Sequence, residues 1–318
     1  MRILVAGGAG YVGSILVPHL KKLGHDVDVV DLLWFGNYLP ANINIIQKDI
    51  LSLTPKDVEK YEQAIFLAGL SNDPMTEYSP KDNFIQNTAV PTYLAFICKQ
   101  ARVRRFIFAS SCSLYGFAAD RIYNEDDDVF SSHPYGISKI QTEYIIKKLA
   151  DEKFSTICLR KGTISGYSPR MRFDLVINTM FKSCMLNEKI TVNNATIWRP
   201  ILSTKDAVSA YINCVNAPYE ISGVFNIISK NYMIIDIALK VKETIEQILN
   251  KNIDIEIKNI QDFRNYRVSD EKAKSILKLY SKNDVDDIVE DLIAHKHFFE
   301  DYNNKNYYNI EIFKNIKL

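Results

Sequence analysis

The chain has 318 residues, of which 47% are hydrophobic and 24% charged, enough apolar material for a large core and more than one average domain. Lys and Arg number 39 against 38 Asp and Glu, so no global field gathers nucleic acid or anionic lipid, and any anion must be bound locally. Five scattered cysteines, odd in number and without metal-ligand spacing, argue against a disulfide scaffold or a metal centre and for a reducing, cytoplasmic setting, and no run approaches the roughly 18 apolar residues of a membrane span.

In chain order, apolar β-rich runs at 3–6, 27–30, 64–68, 106–109 and 156–159 alternate with helix-period stretches. Continuous apolar strands must be covered on both faces, and each crossover puts a helix over one of them. The alternation therefore predicts an α/β fold, a Rossmann-type doubly wound parallel sheet. The cluster Arg102, Arg104 and Arg105 reads as a solvated helix end. Beyond Thr163 the pattern loosens into a loop over 165–172, a helix over 174–186 and short strands at 189–192 and 253–257, while 199–215 reads as a strand and helix returning to the first domain. The expected organisation is a dinucleotide-binding domain over 1–163, with 198–226 returning to it. A smaller C-terminal α/β substrate domain covers 164–197 and 227–295, and an Asn/Tyr/Lys-rich tail covers 296–318.

Gly7, Gly10 and Gly13 directly follow the first run and open a helix predicted over 11–23. Glycines at this spacing let backbone amides approach a pyrophosphate at the positive end of the helix and let the helix pack closely on the strand. Asp31 ends the second run, where a carboxylate accepts hydrogen bonds from an adenosine ribose and repels a 2′-phosphate. Leu32, Leu33 and Trp34 follow with no Arg, so NAD is expected rather than NADP.

Tyr135 and Lys139 begin a helix expected to run to about residue 150, and their four-residue spacing sets phenol and ammonium on one face. The same spacing recurs at Tyr144 and Lys148, but at about 100° per residue the two tyrosines lie on opposite faces, so one pair at most faces a cleft. Tyr135 is preferred because it stands near the helix start, at the strand edge where the polar turn Ser110-Ser111-Cys112-Ser113 also lies. A lysine charge about 5 Å away at an effective dielectric of ~20 lowers a tyrosine pKa by about two units, enough to make it a usable base.

Together GGAGYVGS, Asp31, SSCSLYG and YGISK resemble the extended short-chain dehydrogenase/reductase family, which includes NAD-dependent nucleotide-sugar epimerases and dehydratases. The resemblance covers nearly the whole chain. It implies Tyr135 as general base, Ser111 as the residue holding the reacting hydroxyl, and Lys139 as the lysine on the nicotinamide ribose. It further implies Tyr11 and Val12 beside the glycines, Asp49 and Ile50 on the adenine, and Leu67, Ala68 and Gly69 along the phosphates and ribose. Asn87 would be a supporting amide, and Ala109 and Ser110 would border the cofactor. For a nucleotide-sugar substrate the resemblance implies Ser71, Asn72, Asp174 and Leu175, with Arg199 and Arg264 on the diphosphate; Arg199 could instead pair with Asp206.

The implied chemistry is oxidation of a hexose or heptose, at its C4 hydroxyl, with hydride passing to NAD. Family dehydratases carry an acidic pair after the serine where this chain has Cys112 and Ser113, which disfavours dehydration, and Cys112 is read as a packed thiol. A 4-dehydrogenase and a 4-epimerase both remain open. LSNDP (70–74) and PRMRFDL (169–175) depart from the UDP-galactose epimerase pattern and resemble sugar-nucleotide 4-dehydrogenases, including those acting on GDP-heptose. An NAD-binding regulator without turnover and a reductase of small carbonyl compounds are the competing readings. Family members commonly form homodimers through two helices, here expected over 80–101 and 134–150.

Overall fold

The apolar runs become strands because their side chains are buried on alternate sides by two separate cores. In chain order the computed structural model, which describes residues 1–258 and 264–316, sets out β1 (Arg2–Ala6), β2 (Asp26–Val30), β3 (Asn44–Ile46), β4 (Gln63–Phe66) and β5 (Arg105–Ser111). It continues with β6 (Phe117–Tyr123), β7 (Ser155–Lys161), β8 (Thr163–Ser165), β9 (Lys189–Asn193), β10 (Trp198–Ser203) and β11 (Gly223–Ile227). Seven of these form one parallel sheet in the order β11-β7-β5-β4-β1-β2-β3. Ile3 and Val5 of β1 face a core closed by helices Gly13–Lys22 and Thr204–Asn216, whereas Leu4 and Ala6 face a second core closed by Val90–Gln100 and Pro134–Leu149. The strand order reverses between β1 and β4, and at that point a crevice opens at the carboxyl ends of the strands.

Above that edge lie three small sheets. β8, β10 and β12 (Lys230–Met233) form one, β9 pairs with β13 (Asp254–Lys258), and β6 pairs with β14 (Asn265–Val268). A third core joins helices Val176–Asn187, Ile234–Leu249 and Val285–His295. The tail packs rather than frays: Phe299 belongs to this third core, and Phe313 packs with Leu70 and Met75.

Several local expectations need correction. Arg105 is not on a solvated helix end; it is 0% exposed within β5. Its Nη1 donates to the carbonyls of Cys214 and Ala217 at 2.7 and 2.6 Å, and Nη2 to Pro218, so it closes the C-terminus of helix Thr204–Asn216. The stretch expected as one helix over 80–101 is helical from Pro80 to Gln100 but contains a π turn at Ile85–Ala89, inside which Asn87 Nδ2 donates to the Leu70 carbonyl at 2.8 Å. Of the segment 198–226 expected to return to the first domain, helix Thr204–Asn216 packs on the main sheet and β11 joins its edge, whereas the strand β10 pairs instead with β8 and β12.

Candidate active site

The carboxyl ends of β1, β4, β5 and β7 open into a cleft of about 590 Å³ that is also bordered by the upper sheets. The glycine loop forms its floor at one end. Gly7 has φ +76°, and a Cβ there would strike the backbone of Ala68, while a Cβ on Gly13 would strike the Gly8 carbonyl. The loop is thus pressed against β4 and its own helix with no space for side chains, the cradle a dinucleotide phosphate requires. Tyr11, Val12 and Gly10 line the same cleft, and the Tyr11 hydroxyl donates to Gly166 O at 2.5 Å, tying the loop to the segment after β8.

Asp31 lines the cleft from the end of β2. Its carboxylate accepts from the amides of Ala9 at 3.0 Å and Leu33 at 2.8 Å, yet burial raises its pKa above the usual carboxylate range. Asp49 caps the short turn Ile50–Ser52, and Asp49, Ile50, Leu67, Ala68 and Gly69 all border the cleft beside Asp31. A glycine cradle, a carboxylate at the end of β2 and an apolar slot within one cavity fit a dinucleotide. Asn87 and Ala109 do not line it. Asn87 lies behind Gly69, bonded to Leu70 and Asn83, and Ala109 contributes its carbonyl to Lys139.

At the other end, Tyr135 and Ser111 both line the cleft, close enough for the serine to pull the tyrosine's pKa down. Ser111 Oγ also accepts from Ser113 Oγ at 2.9 Å, and Ser110 Oγ donates to Glu143. Glu143 is held by Arg160 at 2.7 Å, and Arg160 reaches the Tyr115 hydroxyl at 2.7 Å, so a buried polar network fixes the β5 turn from behind. Tyr144, the rival tyrosine, is 65% exposed. Cys112 is fully buried, and its thiol donates to the Arg160 carbonyl at 3.1 Å, facing away from the cleft.

Lys139 lies one helical turn beyond Tyr135 and is not among the residues that border the cleft. Its Nζ stands 5.4 Å from the Tyr135 ring centroid and donates to Ala109 O at 3.0 Å, but burial and the nearby Lys161 push its own pKa down to about 7. Burial first, and then the charge of Asp73, lift Tyr135 to about 12, while Ser111 and Arg172 pull it the other way.

Ser71, Asn72, Asp174, Leu175, Arg199 and Arg264 also border the cleft. Asn72 Nδ2 donates to Asp174 at 2.8 Å, and Asp174 pairs with Arg172 at 2.8 Å; Ser71 Oγ accepts from Asn309 of the tail at 2.8 Å. Arg199 Nη1 donates to Trp198 O, and Asp206 instead accepts from Ser203 and from the amides of Lys282 and Asn283. Arg264 pairs with Asp73 at 2.8 Å.

Sequence reasoning missed Lys161, Arg170 and Asn309. Lys161 pairs in register with Ser111 across β5 and β7 and lines the cleft, its pKa pushed down to about 8 by burial and by Arg172. The rule that singled out Ser111, a polar residue at a strand's carboxyl end, applies equally to it. Arg170 and Asn309 reach the cleft only through tertiary contacts.

A family model described as the NAD dependent epimerase/dehydratase family matches residues 3–227. A UDP-glucose 4-epimerase of Azospirillum brasilense is 29% identical over 178 residues, 54% of this chain and 51% of that protein. The same enzyme of Haemophilus influenzae is 32% identical over 182 residues, 50% of this chain and 52% of that protein. The chain thus spans about half the length of the curated relatives it matches. Among solved structures, MoeE5 in complex with UDP-glucuronic acid and NAD superposes with a TM-score of 0.81 at 24% identity, covering 93% of this chain and 99% of that one. That likeness establishes the fold.

Proposed function

Because the chain belongs to the NAD-dependent epimerase/dehydratase family, we propose that it oxidises a nucleotide-linked sugar at the C4 hydroxyl and returns the hydride to invert that centre. The observation that carries this reading is that Ser111 and Tyr135 border the same cleft as the glycine cradle and Asp31. NAD, when bound, supplies the hydride acceptor. Ser111 holds the sugar hydroxyl and Tyr135 takes its proton. Lys139, one helical turn on with its Nζ 5.4 Å from the Tyr135 ring, is assigned to the nicotinamide ribose and, when protonated, to favouring the phenolate. Arg199 and Arg264, both bordering the cleft, are assigned to the diphosphate, and Ser71, Asn72, Asp174 and Leu175 to the nucleotide and sugar.

The names of the curated relatives support 4-epimerisation. A second reading, release of the keto sugar by a 4-dehydrogenase, has its own support: the two segments that depart from the epimerase pattern touch each other, through Asn72 and Asp174. Incubation with UDP-, GDP-, dTDP- and CDP-sugars, following NADH absorbance and product mass together, separates the two. An isomer of unchanged mass with no net NADH supports the epimerase. Net NADH with a product two mass units lighter, about the mass of the two hydrogens removed, supports the dehydrogenase. No change with any sugar refutes both.

The proposal includes a homodimer. Helices Val90–Gln100 and Pro134–Leu149 lie side by side on one face of the sheet and leave Phe96, Tyr144 and Ile145 exposed, an apolar patch suited to a second copy. Sedimentation at micromolar concentration tests it. All five cysteines are buried free thiols, in keeping with a reducing, cytoplasmic setting. The proposed division leaves the dinucleotide on the main sheet and the sugar beneath the upper sheets, with the cleft between.

A further inference from the structure

Arg170 lies in the segment between β8 and helix Val176–Asn187, and its neighbours are firmly placed. Ser168 Oγ donates to the Tyr11 carbonyl at 2.7 Å, and Arg172 is paired with Asp174. Arg170 itself is 2% exposed, with its guanidinium 4.0 Å from the centroid of the Phe35 ring. Its Nε and Nη2 have no hydrogen-bond partner, and among the described residues no carboxylate lies within ion-pair distance of it. It lines the cleft together with Gly10, Tyr11 and Asp31.

A buried guanidinium with unmet donors is strongly unfavourable unless an anion completes it, and its planar fork matches the oxygens of a phosphate. The two carboxylates whose charge reaches it are already engaged, Asp174 by Arg172 and Asn72 and Asp31 by the amides of Ala9 and Leu33. Stacking on Phe35 holds the guanidinium plane fixed, so little freedom is lost when a ligand arrives. A dinucleotide offers phosphate at two places. Asp31, in the same cleft, repels a phosphate on the adenosine ribose, which leaves the pyrophosphate. We propose that Arg170 is a ligand of the dinucleotide pyrophosphate, a contact supplied from the second half of the chain in addition to the glycine loop. The inference concerns the cofactor and is independent of which sugar is turned over.

Trp34 lines the cleft, so quenching of its fluorescence can follow occupancy, with calorimetry as a check. The ligands are NAD, ADP, adenosine and NADP, titrated into the full chain and into Arg170→Met and Arg170→Lys. Arg170→Met is expected to weaken NAD and ADP about tenfold or more, a charge-assisted contact, while adenosine stays within about twofold. Arg170→Lys should fall between, because it keeps a cation but loses the fork. Equal weakening of all ligands, or unchanged NAD affinity, overturns the proposal. Loss confined to NADP overturns it too and assigns Arg170 to a 2′-phosphate. If Arg170→Met does not fold, the Lys variant decides alone: unchanged NAD and ADP affinity sinks the idea, and weaker NAD and ADP with unchanged adenosine sustains it. Failure of the unaltered chain to bind NAD would instead count against the cofactor assignment itself.

Discussion

Replacing Lys139 by Met removes a cation that the fold holds at a cost. Lys139 is 4% exposed, and burial with the nearby Lys161 lowers its pKa from 10.5 to about 7. A lysine depressed in the folded state leaves the unfolded chain binding the proton more tightly between those values. The penalty is therefore fully present below about pH 7 and fades as pH rises toward 10.5. At about 1.4 kcal/mol per tenfold in proton affinity, it amounts to about 5 kcal/mol below pH 7 and about 2 kcal/mol at pH 9. Against this, Met leaves the Ala109 carbonyl without its 3.0 Å donor, a loss of about 1–3 kcal/mol. The variant should be more stable than the parent by roughly 2–4 kcal/mol at pH 6 and about equal to it at pH 9, while losing turnover. Urea midpoints of both proteins at the two pH values, without added dinucleotide, measure the gap. A variant less stable at pH 6, or a gap that does not narrow by pH 9, refutes the reasoning.

Glu143→Gln breaks the buried pair with Arg160 and leaves that guanidinium uncompensated, so the urea midpoint should fall by the equivalent of about 3–5 kcal/mol, and a change under 1 kcal/mol would show that the network is not structural. Arg199→Ala should weaken nucleotide-sugar binding by about 2–5 kcal/mol and leave NAD affinity unchanged; calorimetry with each ligand in turn checks both halves. Asp31→Ala should weaken NAD and narrow its advantage over NADP, read from the two dissociation constants, and an unchanged ratio would remove Asp31 from the ribose.

How far the sequence could be read depended on how local each signal was. The five strand runs were visible because their residues are apolar on both faces, as in β1, where neighbours feed opposite cores. β3 escaped notice because it is a three-residue sheet edge, half-exposed, and β11 because it too is an edge strand. The glycine loop and the Tyr135/Lys139 spacing lie within short stretches of chain, and the helical phase that set Tyr144 aside is a local property as well. Arg105 misled because its partners, the carbonyls at 214–218, are brought to it by a helix far along the sequence. Arg170 meets Phe35 in the same way. The influence of Lys139 on Tyr135 could not be judged from spacing, since it depends on how deeply both are buried.

The central claim is that the C4 hydrogen leaves as hydride while Tyr135 removes the hydroxyl proton. It is tested most directly with NAD and a nucleotide sugar deuterated at C4, tracing deuterium into the recovered dinucleotide and sugar and comparing rates with the unlabelled sugar. The account predicts deuterium on the dinucleotide or returned to C4, a slower reaction with the labelled sugar, and loss of both signals in Tyr135→Phe with NAD binding retained. Deuterium lost to solvent, or undiminished turnover by Tyr135→Phe, would contradict it.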